Sequence, residues 1–324
     1  MQKICVNMEY LILILSLAGI VLGADFLVKG AVVVARKCRV SSFVIGAVIV
    51  GIGTSLPELV VSTVGAIGGN SEVAIGNVVG SNIFNVFAIF GLTALFFPIA
   101  VSRENMKFEI PFCIAVSILL MLLVYNFFIV GEPRLGRWDG AALLLVFTSF
   151  MWISLRRGKN SAATVVESVE EVNKSLWFAA FSILGGLAAL IVSSNFFVDE
   201  AVAIARKLGV SDAFISITLL ACGTSLPELA ASVTAAVKKD TDMALGNIIG
   251  SNIFNATMIL GTASLITPLT TGKIGLVDYG AMILAAVLPM IFGIRGKITR
   301  IEGLLMLLCY AAYTWYIVTY VMAV

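Results

Sequence analysis

GTSLPEL at Gly53–Leu59 returns, letter for letter, at Gly223–Leu229. Aligning residues 51–91 with 221–261 at an offset of 170 needs no gap and makes 20 of 41 positions identical. The identities include Ser62/Ser232, Gly76/Gly246, Asn77/Asn247 and all of GSNIFN at 80–85 and 250–255. ARK recurs at 35–37 and 205–207, and RWDG at 137–140 is echoed by RIEG at 300–303. The chain therefore reads as two copies of one unit. Identity concentrates in polar residues rather than packing ones, so a bundle doubled only for size does not account for it.

Outside the motif the chain is apolar. Of 324 residues, 60% are hydrophobic and 12% charged, with a mean hydropathy of +1.06. Soluble domains carry about 25% charged residues. Apolar runs of about 20 residues recur along the whole length and read as membrane spans. Ten are placed near 9–35, 42–67, 73–97, 108–130, 138–156, 175–205, 212–237, 243–266, 275–294 and 301–322. The expected fold is thus all-α and integral to the membrane. Residues 1–156 form a first five-helix repeat, 157–174 a polar linker and 175–324 a second repeat. Five is odd, so the second repeat crosses the membrane in the opposite sense. Inverted repeats of this kind are the architecture of many secondary transporters, with the site at the interface of the halves. With the N-terminus outside, the inner loops hold 14 Lys and Arg and the outer segments 6, with Lys29 inside the first span. Positive charge favours the cytoplasmic side, so both termini are expected outside and the linker inside, in a plasma or inner membrane. No secretory cleavage pattern is evident, and the first span reads as retained.

The motif supplies the chemistry. A carboxylate at the bilayer centre costs at least about 2.5 kcal/mol, and Glu58 and Glu228 have no Lys or Arg in their spans to pair with. Each must be protonated, sit in a wet cavity or bind a cation. Thr54, Ser55 and Glu58 fall three to four residues apart and share a helix face, as do Thr224, Ser225 and Glu228. Pro57 and Pro227 lack the N–H that a helix needs, which is expected to leave the Gly53 and Gly223 carbonyls unpaired, with local unwinding freeing those of Gly51, Thr54, Ala221 and Thr224. A purely steric kink is the plainer reading of either proline. On the next span Asn77, Ser81 and Asn85 form a polar stripe, matched by Asn247, Ser251 and Asn255. Interhelical bonding is the plainer role for Asn77, Asn82 and their repeat mates, and close packing for Gly76, Gly80, Gly246 and Gly250. All these donors are hard oxygens, which suit Ca²⁺ and Na⁺ rather than zinc or copper. Two carboxylates balance one Ca²⁺ or two Na⁺. There is no histidine, and the five cysteines are scattered.

GTSLPEL with GSNIFN, twice, resembles the α-repeats of the sodium/calcium exchanger family, within the wider Ca²⁺/cation antiporter superfamily. The resemblance covers essentially the whole chain. It implies ten helices, an ion site on the second, third, seventh and eighth, and alternating access by sliding of the first and sixth over that core. It implies ligands at the Gly51 carbonyl, Thr54, Ser55, Glu58, Ser81 and Asn85, and at the Ala221 carbonyl, Thr224, Ser225, Glu228, Ser251 and Asn255. Asn255 departs from relatives with aspartate there, which speaks against K⁺ co-transport.

The reading is a Na⁺/Ca²⁺ antiporter, with Ca²⁺ and Na⁺ as substrates and lipid as surroundings, no cofactor, no nucleic acid and no protein partner implied. A Ca²⁺/H⁺ antiporter on the same fold is the alternative. An intramembrane enzyme would need the two glutamates in unlike environments, whereas theirs are near copies; a cation channel is a further reading. Asp25 and Lys29 are expected to satisfy each other at a membrane interface, and Asp199 and Glu200 to draw cations to the outer mouth.

Overall fold

A computed structural model describes residues 2–125, 132–160, 175–209 and 221–321. It is almost entirely helical. The helices are α1 (Gln2–Cys38), α2 (Ser42–Thr54), α3 (Leu56–Ile67), α4 (Ser71–Phe96) and α5 (Asn105–Tyr125). There follow α6 (Arg137–Asn160), α7 (Leu176–Lys207), α8 (Leu226–Val237), α9 (Thr241–Ile266), α10 (Leu276–Gly293) and α11 (Arg300–Thr319). Among the described residues, eight helices are long and apolar enough to cross a membrane, and α2 with α3 makes a ninth candidate span bent by 47°. The expected seventh span is represented by the short helical segment Ala221–Gly223 and by α8; its start, 212–220, lies outside the described residues. Most of the expected linker, 161–174, also lies outside them, and its first residues, 157–160, continue α6.

Burial sorts the helices. In their most apolar windows, 78% of α4 and 83% of α9 is buried, against 33% of α1 and 22% of α7. So α4 and α9 form the centre, and α1 and α7 face outward with Leu11, Ile14, Val21, Leu184 and Val192 exposed. At 1.5 Å rise per residue, the 37 residues of α1 and 32 of α7 are far longer than a roughly 30 Å hydrocarbon core requires, which calls for tilt. They pack on each other antiparallel. A Cβ on Gly19 would meet Ser193, one on Gly23 the Gly186 carbonyl, and one on Gly30 the Ala179 carbonyl. Only glycine admits such approach of two backbones.

Glycines also set the central contacts. A Cβ on Gly246 would lie 2.1 Å from the Phe43 carbonyl oxygen, and one on Gly250 2.4 Å from Ala47 Cα, so α2 lies directly on α9. Gly91 of α4 meets Gly303 of α11, and Gly261 of α9 meets Gly140 of α6. These last contacts explain the RWDG/RIEG echo. Its glycine is a helix contact, and its acid caps the helix start: Asp139 accepts from the Gly136 N–H at 2.8 Å, and Glu302 accepts from the Thr299 N–H at 2.5 Å.

Two short antiparallel ladders tie loops together. Strand β1 (Ile99–Ala100) pairs with β4 (Lys297–Ile298), in the register Ile99↔Ile298. Strand β2 (Arg134–Leu135) pairs with β3 (Leu269–Thr270), in the register Leu135↔Leu269. Polar contacts add to them. Lys273 N–H donates to Glu72 at 2.9 Å, Asn105 to Asp242 at 3.4 Å, and Lys207 pairs with Glu9. The expected Asp25–Lys29 pair forms at 2.6 Å, and Lys238 joins it at 2.7 Å, so Asp25 links α1 to the end of α8.

Candidate functional site

Each GTSLPEL copy interrupts a helix and starts a new one. The chain leaves helical geometry at Ser55 (φ −84, ψ 11) and resumes as α3 with Pro57 in the first turn. Ser225 (φ −92, ψ 7) and Pro227 do the same for α8. A first-turn proline forfeits no helical hydrogen bond and is pre-organised for the start. The expectation of a mid-helix kink is therefore corrected: the break falls two residues before each proline. The carbonyl of Gly51 is not loosened either. It accepts from the Ser55 N–H at 3.1 Å, from Thr54 Oγ1 at 3.3 Å and from Ser251 Oγ at 3.2 Å. Ala221 is the first residue of the helical segment Ala221–Gly223 ahead of the second break. A consequence absent from the sequence reading is that Glu58 and Glu228 lie in the first turns of α3 and α8, where the positive end of the helix dipole favours a negative charge.

Both carboxylates are fully buried, as are Thr54, Ser55 and Ser225. Each glutamate is held by the opposite repeat. Ser55 Oγ donates to Glu228 Oε1 at 2.8 Å, and Ser225 Oγ donates to Glu58 Oε1 at 3.1 Å. The structure thus brings the two motifs into one buried cluster. Among the described residues, neither glutamate has an ion pair with Lys or Arg.

The GSNIFN segments on α4 and α9 close the cluster. Asn82 Nδ2 donates to the Asn252 carbonyl at 3.1 Å, and Asn252 Nδ2 to the Asn82 carbonyl at 3.1 Å. Asn85 Nδ2 donates to Asn252 Oδ1 at 3.0 Å. The asparagines one turn earlier hold the glutamates' backbones. Asn77 Nδ2 bonds the Glu58 carbonyl at 3.3 Å and Ser62 Oγ at 3.0 Å; Asn247 Nδ2 bonds the Glu228 carbonyl at 3.1 Å and Ser232 Oγ at 2.8 Å. Thr54 Oγ1 also reaches Asn247 Oδ1 at 3.3 Å. Interhelical bonding is thus the observed role of Asn77, Asn82, Asn247 and Asn252. The sequence reading passed over what Ser62 and Ser232 do, although their identity between repeats was the signal.

The oxygens left over are informative. Glu58 Oε2, Glu228 Oε2, Ser81 Oγ, Asn85 Oδ1, Thr224 Oγ1 and Asn255 Oδ1 are buried without a hydrogen-bond partner. Buried polar groups are ordinarily satisfied, and an unsatisfied one costs about 1–3 kcal/mol. A group of such atoms that includes two carboxylate oxygens fits a desolvated hard cation. Asp199, by contrast, is exposed on α7.

The "Sodium/calcium exchanger protein" family model matches residues 8–156 and 178–319. The chain is 35% identical over 342 residues to the sodium/calcium exchanger MaX1 of Methanosarcina acetivorans, covering 95% of this chain and 98% of that one. It is 33% identical over 292 residues to the inner membrane protein YrbG of Escherichia coli, covering 86% of each. Among solved structures, one of the sodium-calcium exchanger NCX_Mj soaked with 10 mM Na⁺ and zero Ca²⁺ superposes with a TM-score of 0.82 at 32% identity, over 97% of this chain and 99% of that one.

Proposed function

The chain is a member of the sodium/calcium exchanger family, transporters rather than enzymes, and from that premise we propose that it exchanges Na⁺ for Ca²⁺ across the membrane by alternating access. The observation that carries this reading is the pair of buried glutamates, each bonded by the serine of the other repeat and each with its second oxygen unpartnered. Two carboxylates match the charge of one Ca²⁺ or two Na⁺. The ligand set that completes this reading is Thr54, Ser55, Ser81, Asn85 and the Gly51 carbonyl from one repeat, and the Ala221 carbonyl, Thr224, Ser225, Ser251 and Asn255 from the other. Na⁺ and Ca²⁺ compete for the same oxygens, so a site that admits one set at a time couples the two fluxes.

The reading includes ten spans in two inverted repeats, 1–156 and 175–324, about a linker at 157–174. Sidedness supports it. In a ten-span topology β1 and β4 fall in loops on one side of the membrane, and β2 and β3 on the other. Asn105–Asp242 and Lys238–Asp25 join segments on the first side, and Glu72–Lys273 and Glu9–Lys207 join segments on the second. Each of these contacts respects the topology. The antiparallel packing of α1 on α7, which carry the two ARK triplets, is what an inverted pair of equivalent helices requires. The excess of Lys and Arg favours a cytoplasmic β1–β4 side with both termini outside, and the reading includes a plasma or inner membrane.

The deciding experiment is Ca²⁺ uptake into proteoliposomes. An outward Na⁺ gradient is expected to drive uptake, and its collapse to stop it. Uptake that ignores Na⁺ and follows a pH gradient would convert the reading to Ca²⁺/H⁺ antiport on the same site, which glutamates also permit. The Thr54/Ser55 and Thr224/Ser225 pairs favour Na⁺, because a proton needs fewer oxygen ligands.

A further inference from the structure

Outside the glutamate cluster, the molecule has a second concentration of charge. A 430 Å³ cleft is lined by Val101, Arg103, Met106, Lys107, Gly293, Ile294, Arg295 and Gly296. It lies where α5 begins and α10 ends, beside the β1–β4 ladder, and therefore at the depth where two spans leave the hydrocarbon. The cleft is built by the backbone. Val101 N–H donates to the Gly296 carbonyl at 2.9 Å and Gly296 N–H to the Gly293 carbonyl at 2.8 Å, with Gly296 at φ +79. A Cβ on Gly293 would meet Met106 Sδ at 2.9 Å.

Three cations, Arg103, Lys107 and Arg295, line this space, and no acid does. All three are exposed, and among the described residues none forms an ion pair with a carboxylate. Lys297 is the next strand residue, also exposed. The corresponding corner of the other ladder is different. At the offset of 163 that relates RWDG to RIEG, Arg295 corresponds to Glu132 and Lys297 to Arg134; at the offset of 170, Arg103 corresponds to Lys273 and Lys107 to Val277. The ladder is common to both corners, but the charges of Lys107 and Arg295 belong to one, so the scaffold itself does not require these two. A general excess of positive charge on this side would not require them to converge on one cleft either.

We propose that this cleft binds the phosphate headgroup of an anionic phospholipid, with Arg103, Lys107 and Arg295 on the phosphate and the acyl chains along α10. Charge complementarity and depth argue for lipid over a free phosphate. Ile294, 73% exposed, lines the cleft, and Ile291, 51% exposed, lies one turn back on the same helix, so an apolar path leaves the cationic pocket towards the bilayer. Basic pockets between spans on the cytoplasmic side are known to hold such headgroups, each cation adding to the attraction.

The test is native mass spectrometry of the purified full chain with added phosphatidylglycerol, phosphatidylcholine or inorganic phosphate. Wild type is expected to retain phosphatidylglycerol in preference to phosphatidylcholine. The triple variant Arg103→Gln, Lys107→Gln, Arg295→Gln should bind it on the order of a hundredfold more weakly. A control that neutralises three other cations of the same side, Lys37→Gln, Arg39→Gln, Lys239→Gln, should bind as wild type does. Equal retention of the two lipids, or equal loss in triple variant and control, overturns the proposal. Competition by inorganic phosphate at concentrations comparable to the lipid's overturns the lipid assignment. If the triple variant is not monodisperse, the single variants Lys107→Gln and Arg295→Gln are read instead, each with a several-fold loss expected and no loss in either overturning the site. Lipid retention is read without transport, so failure here is distinct from failure of the antiport reading.

Discussion

Glu58 and Glu228 are alike in their surroundings: each sits in the first turn of a helix, with its carbonyl held by an asparagine and one oxygen bonded to a serine of the other repeat. Replacing either by glutamine keeps size and hydrogen-bonding capacity and removes one charge. A bound Ca²⁺ then faces a single carboxylate in a fully buried site. Glu58→Gln and Glu228→Gln are each expected to reduce Ca²⁺ uptake at least about 100-fold, the equivalent of roughly 2.7 kcal/mol, while gel filtration of the purified protein stays unchanged. Wild-type uptake by either variant would remove that carboxylate from the site. These ligand candidates were legible in sequence because duplication marked them. Their partners were not: that Ser55 serves Glu228 rather than Glu58, three residues away, depends on how the repeats face each other, which no local spacing encodes.

At the scale of elements, hydropathy located nearly every span, because about 20 apolar residues have few other uses. It did not locate the break in the second. Proline was visible, but whether it kinks a helix or begins one depends on the backbone just before it, and Ser55 had already left the helix. The glycines were legible as packing residues, and the structure adds what they pack on. Gly246→Ala would drive a methyl to 2.1 Å from the Phe43 carbonyl oxygen, so α2 and α9 must separate. Overpacking of this kind costs about 1–3 kcal/mol, and the variant should melt several degrees below wild type and lose Ca²⁺ uptake as the site spreads. Gly185→Ala, on the exposed face of α7 with nothing within 4 Å of the added carbon, should instead be neutral or stabilise by up to about 1 kcal/mol through helix propensity. Thermal unfolding of the two variants side by side checks both signs. Equal destabilisation would mean that the α2–α9 contact is not what Gly246 serves.

For the molecule as a whole, the repeat and the odd span count were enough to expect two halves facing each other, whereas the loop ladders and the ion link at Asp25 are long-range contacts with no local signature. That link bears on how the halves move. α1 and α7 are the long, outward-facing helices and touch each other through glycines, whereas Lys238 at the end of α8 holds α1 to the motif-bearing core. If α1 and α7 slide as a pair over the core, a tether within the pair should be harmless and a tether from the pair to the core should not. With the native cysteines replaced by alanine, Glu9→Cys with Lys207→Cys joins α1 to α7, and Asp25→Cys with Lys238→Cys joins α1 to the end of α8. After treatment with a reducible bifunctional thiol reagent, the first protein is expected to keep most of its Ca²⁺ uptake. The second should lose about 90% or more and regain it on reduction, since a conformational step made impossible removes turnover without altering the ligands. Block of both proteins would mean that α1 and α7 move relative to each other, and block of neither would place the moving boundary elsewhere than between α1 and the core.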